Sequence, residues 1–480
     1  MQALLAASAS SLPRPGGGVT FRYAAAPMAT SPMLLLLVLG AETAGPVQEI
    51  PRELPRGKYM SPSVPGEVRT IGPTGSLGPD VYRRRRKALM ERLKTGATLV
   101  VNEARFEGSR EGMEFYYLTG IDEPGAALLL DPASPDPEVL FLRPLDVERG
   151  QWEGDRAKLP SQAIETTSGI AQLSRTSRLG AALIRACLHG GLNFVGEFVA
   201  APDPKPKTLV WYAETQERML GGRGPEGCRL NDHHGTLARM REVKEPEELK
   251  LMRKAIEHTA AGHARVLEVL RPGLREFELK DAVEEAFRRS GSRHVAYDSI
   301  VGSGPNGAIL HYPKDDRAMK DGELVLVDAG AEEQSYATDV TRTYPVSGKY
   351  SPEQREIYEI VLKAQAAGIA AAKAGVTPRT IDRAVRKVID DAGYHDAALH
   401  GCCHFVGLEV HDKGDYEAPL PPGAVMTVEP GIYLPQRGYG IRIEDEILIT
   451  PTGAEVLTRA IPKDPDEIER RMQRRRAEAR

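Results

Sequence analysis

The spacing of apolar residues predicts alternating strands and helices in the first half of the chain. Thr98 to Asn102, Ala126 to Leu130 and Val139 to Leu142 are short apolar runs bounded by Gly, Pro and Asp, which is typical of strands. The stretches from Arg83 to Leu93 and from Gln162 to Leu188 have helical character. We interpret the four consecutive arginines of the first stretch as a solvated helix face. This alternation favours an α/β layer.

After Lys244, the order of two helices followed by strands occurs twice. The sequence Glu-Pro-Glu-Glu at 245–248 begins a long helix, because Pro suits the first turn and acids favour the positive end of the helix dipole. A second helix is predicted from about Glu276 to Ser290. Ser-Pro-Glu-Gln at 351–354 has the form of a capping box and begins a third helix, and Thr377 precedes a fourth. The repeat predicts an internally duplicated α+β domain.

Acidic residues interrupt or end the strand-like runs of this second half. Leu324 to Asp328 is one such run, and a hairpin would return Asp339 to a position beside Asp328. Phe405 to Val410, Val425 to Val428 and the alternating isoleucines from Ile441 to Ile449 are predicted as further strands. The acids of different strands are therefore expected to meet in one place.

Four acids and one histidine in or beside these runs form a candidate metal site. Burying carboxylates among apolar strands is costly unless a cation compensates their charge. The set predicts a centre in which two divalent ions share a hydroxide. Oxygen-rich ligation with one imidazole favours Mn²⁺ over a thiolate zinc site. The candidate ligands are Asp328, Asp339, His404, Glu429 and Glu444.

Three further histidines, His311, His400 and His411, are not needed as ligands. We expect them to donate hydrogen bonds to the substrate and the reaction intermediate. The glycines that precede His311 lack a following Gly-Lys-Ser/Thr, so a phosphate-binding loop is disfavoured. In the first half, Trp152 and Arg156 are the residues of interest, with a purely structural surface role as an equal alternative.

Composition places the chain among ordinary globular proteins. Its 480 residues allow two or three domains, and 63 bases against 67 acids give a net charge of −4. This near balance gives no reason to expect nucleic acid or an anionic membrane as a partner. Four cysteines do not make a disulfide framework, and two of them, Cys402 and Cys403, are neighbours. A reducing compartment, the cytoplasm, is the simplest expectation.

The first sixty residues differ from the rest in being rich in Pro, Gly, Ala and Ser. Their apolar run from Met33 to Leu39 is too short to span a bilayer, which needs about 20 residues. It could be the core of a signal peptide, which would mean export, or part of a disordered leader. We therefore expect a leader at 1–60, an α/β domain at 61–235, a catalytic domain at 236–462 and a charged, exposed helical tail at 463–480.

The motifs of the second half resemble those of the aminopeptidase P family (Xaa-Pro aminopeptidases). This family belongs to the pita-bread metallopeptidases, together with prolidase, creatinase and methionine aminopeptidase. The sequence Leu-Thr-Gly at 118–120 also resembles the N-terminal domain of the family. The resemblance implies a duplicated α+β pita-bread domain preceded by a smaller α/β domain like that of creatinase. The matching stretches are Tyr297 to His311, Leu324 to Val361, His400 to Asp412 and Thr427 to Thr450.

The resemblance also implies a role for each site residue. Asp328 would bind one metal ion, Asp339 and Glu444 would bridge both ions, and His404 and Glu429 would complete the second site. Glu429 would also take the proton of the attacking water. His311 and His411 would hydrogen-bond the scissile peptide and its tetrahedral intermediate. The pocket for the proline after the scissile bond would be formed by Tyr297, His400 and Arg442.

The expected activity is release of the N-terminal residue from peptides with proline in the second position, by a homodimer or homotetramer. Prolidase, which is limited to dipeptides, remains the alternative within the fold. A pita-bread binding protein without catalysis is the remote alternative, disfavoured because all five ligands are present. Cys403 and Phe405 depart from the residues that are usual in the family beside His404, and both could tune metal or substrate preference.

Overall fold

The structure of the protein, a computed structural model, describes six ranges of the chain. The leader, including its apolar run from Met33 to Leu39, lies outside the described residues, as do Trp152 and Arg156. The described ranges are 77–94, 96–102, 113–123, 125–142, 161–195 and 230–478.

A mixed six-stranded sheet with helices on both faces forms the first half. Its strand order is β4-β3-β2-β1-β5-β6, with β2 antiparallel to both β1 and β3 and the remaining pairs parallel. The strands are β1 (Ala97–Val101), β2 (Ala127–Leu130), β3 (Glu138–Leu142), β4 (Gln172–Arg175), β5 (Leu192–Val195) and β6 (Leu230–Asp232). The helices are α1 (Pro79–Leu93), α2 (Glu114–Thr119), α3 (Ser161–Ser168) and α4 (Leu179–Gly190).

Neighbouring residues along the strands of this sheet pack into two separate hydrophobic cores, one on each face. Leu99 of β1 packs in one cluster with Leu183 of α4, whereas its neighbour Val100 packs in another with Phe115 of α2 and Leu89 of α1. Successive side chains of a strand point to opposite faces, so one apolar strand can serve both layers. The three predicted strands and the α/β layer are confirmed.

The prediction of one helix from Gln162 to Leu188 is wrong. The helix α3 ends at Ser168, and Gly169 has φ of 73°, a left-handed conformation that ends helices readily. The next residues extend as β4 and pair in parallel with β3 before α4 begins. The pairing partner of β4 lies about thirty residues earlier in the chain, where the local apolar spacing carries no information about it.

The interpretation of the four arginines as a solvated helix face is also wrong for two of them. Arg85 and Arg86 of α1 are buried. Arg86 donates hydrogen bonds to the carbonyls of Leu118 and Ser168, and Arg85 lies 3.1 Å from the carboxylate of Glu248. Hydrogen bonds and ion pairs of this kind are what make a buried guanidinium tolerable.

In the second half, two helices followed by strands do occur twice, as predicted. The connecting helix α5 (His234–Glu242) leads to α6 (Pro246–Val269) and α7 (Glu276–Ser290), and later α8 (Pro352–Ala371) is followed by α9 (Pro378–Asp391). The first set of strands is β7 (Ile300–Ser303), β8 (Leu324–Asp328), β9 (Glu332–Glu333), β10 (Tyr336–Ala337) and β11 (Thr341–Pro345). The second set is β12 (Val425–Val428), β13 (Gly431–Leu434), β14 (Tyr439–Arg442), β15 (Asp445–Ile449) and β16 (Ala454–Val456), before α10 (Pro465–Glu478).

Each repeat contributes an antiparallel three-stranded sheet, in the orders β11-β8-β7 and β12-β15-β16. Apolar residues of both sheets and of the four long helices share one core, which contains Val327, Ile357, Ile381 and Val428. The capping box predicted for α8 is present: the Ser351 hydroxyl accepts from the Gln354 N–H, and the Gln354 side chain accepts from the Ser351 N–H. The predicted α+β class is confirmed.

Three details of this half differ from the predictions. Phe405 to Val410 forms turns with a β-bridge between Phe405 and Met426, because the Asp412 N–H folds back to the Phe405 carbonyl over 2.8 Å. The stretch from Ile441 to Ile449 is divided between β14, which pairs with β13, and β15, which pairs with β12. The helical tail is confirmed, but it is anchored by Ile468 and Met472, which are buried in the core.

No helix in the described ranges is both long and apolar enough to cross a membrane.

Candidate metal centre

The strand pairing of the first repeat brings Asp328 and Asp339 together. Asp328 ends β8 and stands opposite Thr341 in the antiparallel partner β11. Asp339 precedes Thr341 by two residues, so both carboxylates lie at the same end of the sheet. The short pair β9–β10 fills the connection between the two strands, which makes the predicted hairpin longer than a simple turn.

The second repeat supplies the other three predicted ligands in the same way. Glu429 follows β12 and Glu444 precedes β15, and these two strands pair with Val428 opposite Asp445. His404 is fixed to β12 by two hydrogen bonds: its N–H donates to the Thr427 hydroxyl over 3.0 Å, and its carbonyl accepts from the Thr427 N–H over 2.8 Å.

The five predicted ligands form one cluster. His404 Nε2 lies 3.4 Å from Asp339 Oδ2, 3.4 Å from Glu429 Oε1 and 4.0 Å from Glu444 Oε1. Within the described chain, side-chain donor atoms approach within 4.8 Å of one another in three triplets: Asp328–Asp339–Glu444, His404–Glu429–Glu444 and Asp339–His404–His411. The first two triplets share Glu444, which is one of the two residues expected to bridge, the other being Asp339.

Burial shifts the pKa of most of these groups. It raises the pKa of Asp328 to about 6, against the opposing charge of Arg442, and the pKa of Glu429 to about 7. Burial and the nearby charges of Asp339 and Glu429 raise the pKa of Glu444 well above its usual range. Carboxylates packed this closely resist ionisation because each one destabilises the charge of its neighbours.

Asp339 and His404 are exceptions because they face each other. Burial acts to raise the pKa of Asp339, but the hydrogen bond and the charge of His404 hold it below the usual value. Burial acts to lower the pKa of His404, but Asp339 and Glu429 raise it to about 9. His404 Nδ1 lies 3.1 Å from the Phe405 carbonyl, which can only accept, so this nitrogen carries a proton and Nε2 faces the carboxylates.

The donor set fits divalent cations. Glu444 Oε1 is buried and has no hydrogen-bond partner within the described part of the chain, whereas Oε2 accepts from the Thr341 hydroxyl over 2.6 Å. A buried carboxylate oxygen in this state is stabilised by a metal ion. Four carboxylates and one imidazole suit hard or borderline ions. The thiol of Cys403 lies against the Pro378 carbonyl at 3.8 Å.

Three side chains that the sequence did not single out as supports hold the ligands in place. The Tyr297 hydroxyl contacts the carboxylates of both Asp328 and Asp339, the latter over 2.6 Å. Thr341 donates to Glu444, and Glu446 Oε1 accepts the N–H of Asp339 over 2.6 Å. The sequence carried a signal for Glu446, because Glu444 and Glu446 alternate with Asp445 and so share one face.

Asp445 faces the opposite side of this segment. Its carboxylate accepts from Arg342 over 2.7 Å and also pairs with Lys463. These cations hold the pKa of Asp445 below its usual range despite burial. Of three consecutive acids, two therefore serve the ligand cluster and one is neutralised by a buried guanidinium behind it.

The residues expected to form a proline pocket are connected to the cluster by a chain of hydrogen bonds. Arg442 pairs with Asp328 through Nη2, and its Nη1 donates to the Tyr433 hydroxyl over 2.9 Å. The Tyr433 hydroxyl lies 2.7 Å from His400 Nε2, and His400 Nδ1 lies 2.8 Å from the Gly401 carbonyl. Tyr433 is a residue that the sequence analysis missed.

The protonation of His400 determines which group donates and which accepts in each of these hydrogen bonds. The Gly401 carbonyl requires a proton on Nδ1, and burial lowers the pKa of the imidazole to about 4, so the ring is neutral. Nε2 therefore accepts from the Tyr433 hydroxyl, whose oxygen accepts from Arg442. Both ring nitrogens of His400 are occupied, which leaves its ring surface to contact a substrate. The hydroxyl of Tyr297, expected in the same pocket, lies against the two aspartates, and its part in substrate binding stays a prediction.

The other two histidines are exposed at the edge of the cluster. The ring of His411 meets that of His404 edge to face, with 4.2 Å between the ring centroids. Burial lowers the pKa of His411, and the neighbouring His404 and His311 lower it further. His311 lies in the turn after a 3-10 helix at Gly304–Ala308, which packs against β14. Both imidazoles are free to reach a substrate.

Two family descriptions match separate parts of the chain. Metallopeptidase family M24 matches residues 250–451, which contain every predicted ligand. The description "Aminopeptidase P, N-terminal domain" matches residues 82–189, which contain most of the six-stranded sheet.

Two individual proteins match over most of the chain, and a third matches over less than half of it. The Xaa-Pro aminopeptidase of Escherichia coli K12 is 35% identical over 434 residues, which is 81% of this chain and 96% of that protein. The structure of Pseudomonas aeruginosa aminopeptidase PepP superposes with a TM-score of 0.74 and 33% identity, covering 83% of this chain and 99% of that one. The Xaa-Pro dipeptidase of Pyrococcus furiosus is 40% identical over 224 residues, but these are 46% of this chain and 64% of that protein.

Proposed function

Because the chain belongs to the aminopeptidase P family, within metallopeptidase family M24, we propose that it releases the N-terminal residue from peptides with proline in the second position. The protein is a metalloaminopeptidase whose pita-bread domain follows a smaller N-terminal domain. The observation that carries the proposal is that the two ligand triplets share Glu444 and lie at one end of a hydrogen-bond chain from His400.

Asp328, Asp339, His404, Glu429 and Glu444 would hold two divalent ions, and we propose Mn²⁺ as the metal because the donors are mostly carboxylate oxygens. When bound, such ions lower the pKa of a water molecule and polarise a carbonyl oxygen. In this assignment Asp339 and Glu444 would be the carboxylates that contact both ions. Thr341 keeps Glu444 oriented through Oε2, which leaves Oε1 free for metal.

Glu429 is the residue best suited to take the proton of the attacking water. Its Oε1 lies 3.4 Å from His404 Nε2 within the cluster, so its carboxylate would be next to a water molecule held there and could accept its proton. His411 lies beside His404, so its ring N–H can reach an oxyanion formed at the cluster. We assign His311 the parallel task of binding the scissile peptide.

Proline has no N–H and a fixed φ, so an imide bond needs a dedicated pocket rather than backbone hydrogen bonds. We propose that the ring surface of His400 and the hydroxyl of Tyr433 line this pocket, with Arg442 behind them. Arg442 connects the pocket to Asp328, so the residues that contact proline are held in register with the metal ligands. Tyr297 contributes indirectly by fixing both aspartates.

We further propose that residues 61–235 cap the site and restrict cleavage to a free N-terminus, with the catalytic domain at 236–462. A homodimer or homotetramer in the cytoplasm is the proposed assembly and location. Light scattering of the purified protein tests the assembly, and a monomer at micromolar concentration would contradict it. An export signal around residues 33–39 is the alternative for location.

The decisive assay is hydrolysis of Arg-Pro-Pro peptides by Mn²⁺-loaded protein, with metal content measured in parallel. We expect release of free arginine and about two ions per chain. Failure to cleave under any divalent metal would refute the proposal. Prolidase is the alternative, since the P. furiosus dipeptidase is 40% identical over 46% of this chain, and cleavage of Xaa-Pro dipeptides with no cleavage of tripeptides would select it.

A further inference from the structure

His411 and its neighbour Asp412 face opposite environments. His411 is exposed beside His404, whereas Asp412 is buried between two cations. Arg241 pairs with Asp412 Oδ1, and the Lys244 ammonium lies 3.0 Å from Oδ2. These cations hold the pKa of Asp412 below its usual range against the effect of burial. The carboxylate is therefore fully charged and paired on both oxygens.

The backbone around Asp412 is closed into a tight loop. The Asp412 N–H donates to the Phe405 carbonyl over 2.8 Å, and the Gly407 N–H donates to the Glu409 carbonyl over 3.1 Å. A β-carbon on Gly407 would collide with the Asp412 carboxylate and lie 2.8 Å from Lys244 Cε. The position of the Asp412 side chain therefore determines the conformation of the loop from Phe405 to Asp412.

The cation that holds Asp412 also contacts the first half of the chain. Arg241 Nη1 lies 3.2 Å from Glu114 of α2 and 3.3 Å from Glu409 of the loop. Arg241 belongs to α5, which lies between the two segments that the family descriptions match. One buried guanidinium therefore joins the N-terminal sheet layer to the loop that carries His411.

We propose that Asp412 is a positioning residue for the peptidase reaction: clamped by Arg241 and Lys244, it fixes the loop so that His411 reaches the reacting carbonyl. The proposal rests on the role assigned to His411 under the proposed function. The ion pairs of Asp412 and its backbone hydrogen bond to Phe405 fix the peptide unit that Asp412 shares with His411, so the Cα–Cβ bond of His411 keeps its direction toward His404. Displacement of a catalytic group by about 1 Å can cost about 10²-fold in rate.

The test is a double-mutant cycle between Asp412→Asn and His411→Ala, measured as kcat and KM on Arg-Pro-Pro. If Asp412 acts through His411, Asp412→Asn lowers kcat by about 10 to 100-fold alone but changes it by less than about threefold in the His411→Ala background. If the kcat loss of the double variant equals the product of the losses of the two single variants, the proposal is overturned, because independent effects add in free energy. A change confined to KM would also overturn it.

A second variant reaches the same loop without changing any charge. Gly407→Ala drives a methyl group into the Asp412 carboxylate, and its kcat loss should also vanish in the His411→Ala background. This variant decides the question if Asp412→Asn does not fold. Glu417→Gln is the matched control. Glu417 lies five residues after Asp412 and forms an exposed ion pair with Arg379. Removing this carboxylate should leave kcat unchanged.

Crystal structures of the variants separate failure of this proposal from failure of the proposed function. In Asp412→Asn or Gly407→Ala we expect the His411 ring to move away from the His404 ring, relative to the 4.2 Å centroid separation of the parent. An unmoved ring refutes the positioning role even if the enzyme is active. A displaced ring in the variants, together with a parent protein that shows no activity on Xaa-Pro peptides, supports the positioning role while refuting the proposed substrate.

Discussion

The Arg442 guanidinium donates to the Tyr433 hydroxyl over 2.9 Å. Tyr433 in turn donates to His400, and the second Nη of Arg442 pairs with Asp328. A tyrosine of the β13–β14 hairpin thus connects a predicted metal ligand to the residue expected to contact proline. Because Tyr433 accepts from Arg442 and donates to His400, its hydroxyl fixes the orientation of the His400 ring relative to the guanidinium.

Replacing Tyr433 with Phe should raise KM for Xaa-Pro peptides by about tenfold, because an unsatisfied buried partner costs about 1–3 kcal/mol. Steady-state kinetics on Arg-Pro-Pro measures this. Tyr439→Phe on the same hairpin is the control, since its hydroxyl lies 3.4 Å from Glu353. Equal KM values for the two variants would show that the chain from Arg442 to His400 plays no part in substrate binding.

Tyr297→Phe should weaken metal binding about 10 to 100-fold, the range found when a group that orients metal ligands is removed. The hydroxyl contacts Asp328 and Asp339 together, so both carboxylates lose their alignment. Calorimetric titration of the metal-free protein with Mn²⁺ gives the affinity. Tyr312→Phe, whose hydroxyl contacts Asp316 at 3.2 Å, should bind metal normally; a matching loss there would assign the effect to general loosening.

Asp339→Asn should lower kcat/KM by about 10³-fold or more, because it removes a proposed bridging ligand and metal ions supply several kcal/mol of transition-state stabilisation. The fold should survive, since the Asp339 N–H still donates to Glu446. Metal analysis should show fewer than two ions per chain. Unchanged turnover with two bound ions would contradict the assignment of the bridge.

In the metal-free protein, Asp328 and Glu429 should each contribute stability that is lost as pH rises from about 4 to 7. Asp328 and Glu429 have folded-state pKa values of about 6 and about 7, whereas in the unfolded chain such groups ionise near pH 4. Between these values the folded state holds more protons than the unfolded state, so the free energy of unfolding falls with pH. Each carboxyl accounts for up to about 3 kcal/mol across this window.

Thermal unfolding in EDTA across this pH range measures the effect, with Glu429→Gln as the comparison. His263 acts in the opposite sense, because burial lowers its pKa to about 3 and the unfolded chain therefore takes up more protons below pH 6.5. The difference in Tm between the parent and Glu429→Gln at each pH isolates the contribution of the Glu429 carboxyl. A gap in Tm that stays constant with pH would exclude the shift, and added Mn²⁺ should stabilise most at high pH, where its ligands are deprotonated.

The sequence predicted that the five side chains meet, because the four acids lie at or near the ends of strands, and their role as metal ligands stays a prediction. Strand ends have a fixed geometry once the pairing is given, so Asp328 beside Asp339, and Glu429 beside Glu444, follow from two antiparallel pairs. The apolar runs and the acids that end them were both visible locally. The duplicated order of helices and strands placed the two pairs in equivalent positions.

Long-range partners were not predictable in this way. The ion pair between Arg241 and Asp412 joins residues 171 positions apart, and Arg85 meets Glu245 across 160 positions. Nothing in the local pattern of either arginine distinguishes it from a surface arginine. The same limit explains Tyr433, whose hydroxyl matters only because the fold delivers Arg442 and His400 to it.

The loop from Phe405 to Val410 shows a different limit. Its apolar residues and β-branched positions favour a strand, but Gly407 and the buried carboxylate of Asp412 enforce a turn. Local preference was overridden by an electrostatic contact that forms only in the folded protein. Residues that depart from their local preference here are the ones next to His404 and His411.

The alternation of Glu444, Asp445 and Glu446 has a consequence for how related sequences can vary in length. Insertion or deletion of a single residue between Arg442 and Glu446 would turn Asp445 toward the cluster of candidate metal ligands. It would also place a glutamate beside Arg342. The charges would then be unbalanced both at the ligand cluster and around Arg342, so both repeats of the domain would be affected at once. Length variation among homologues should therefore be absent from this segment, and a homologue survey can check this.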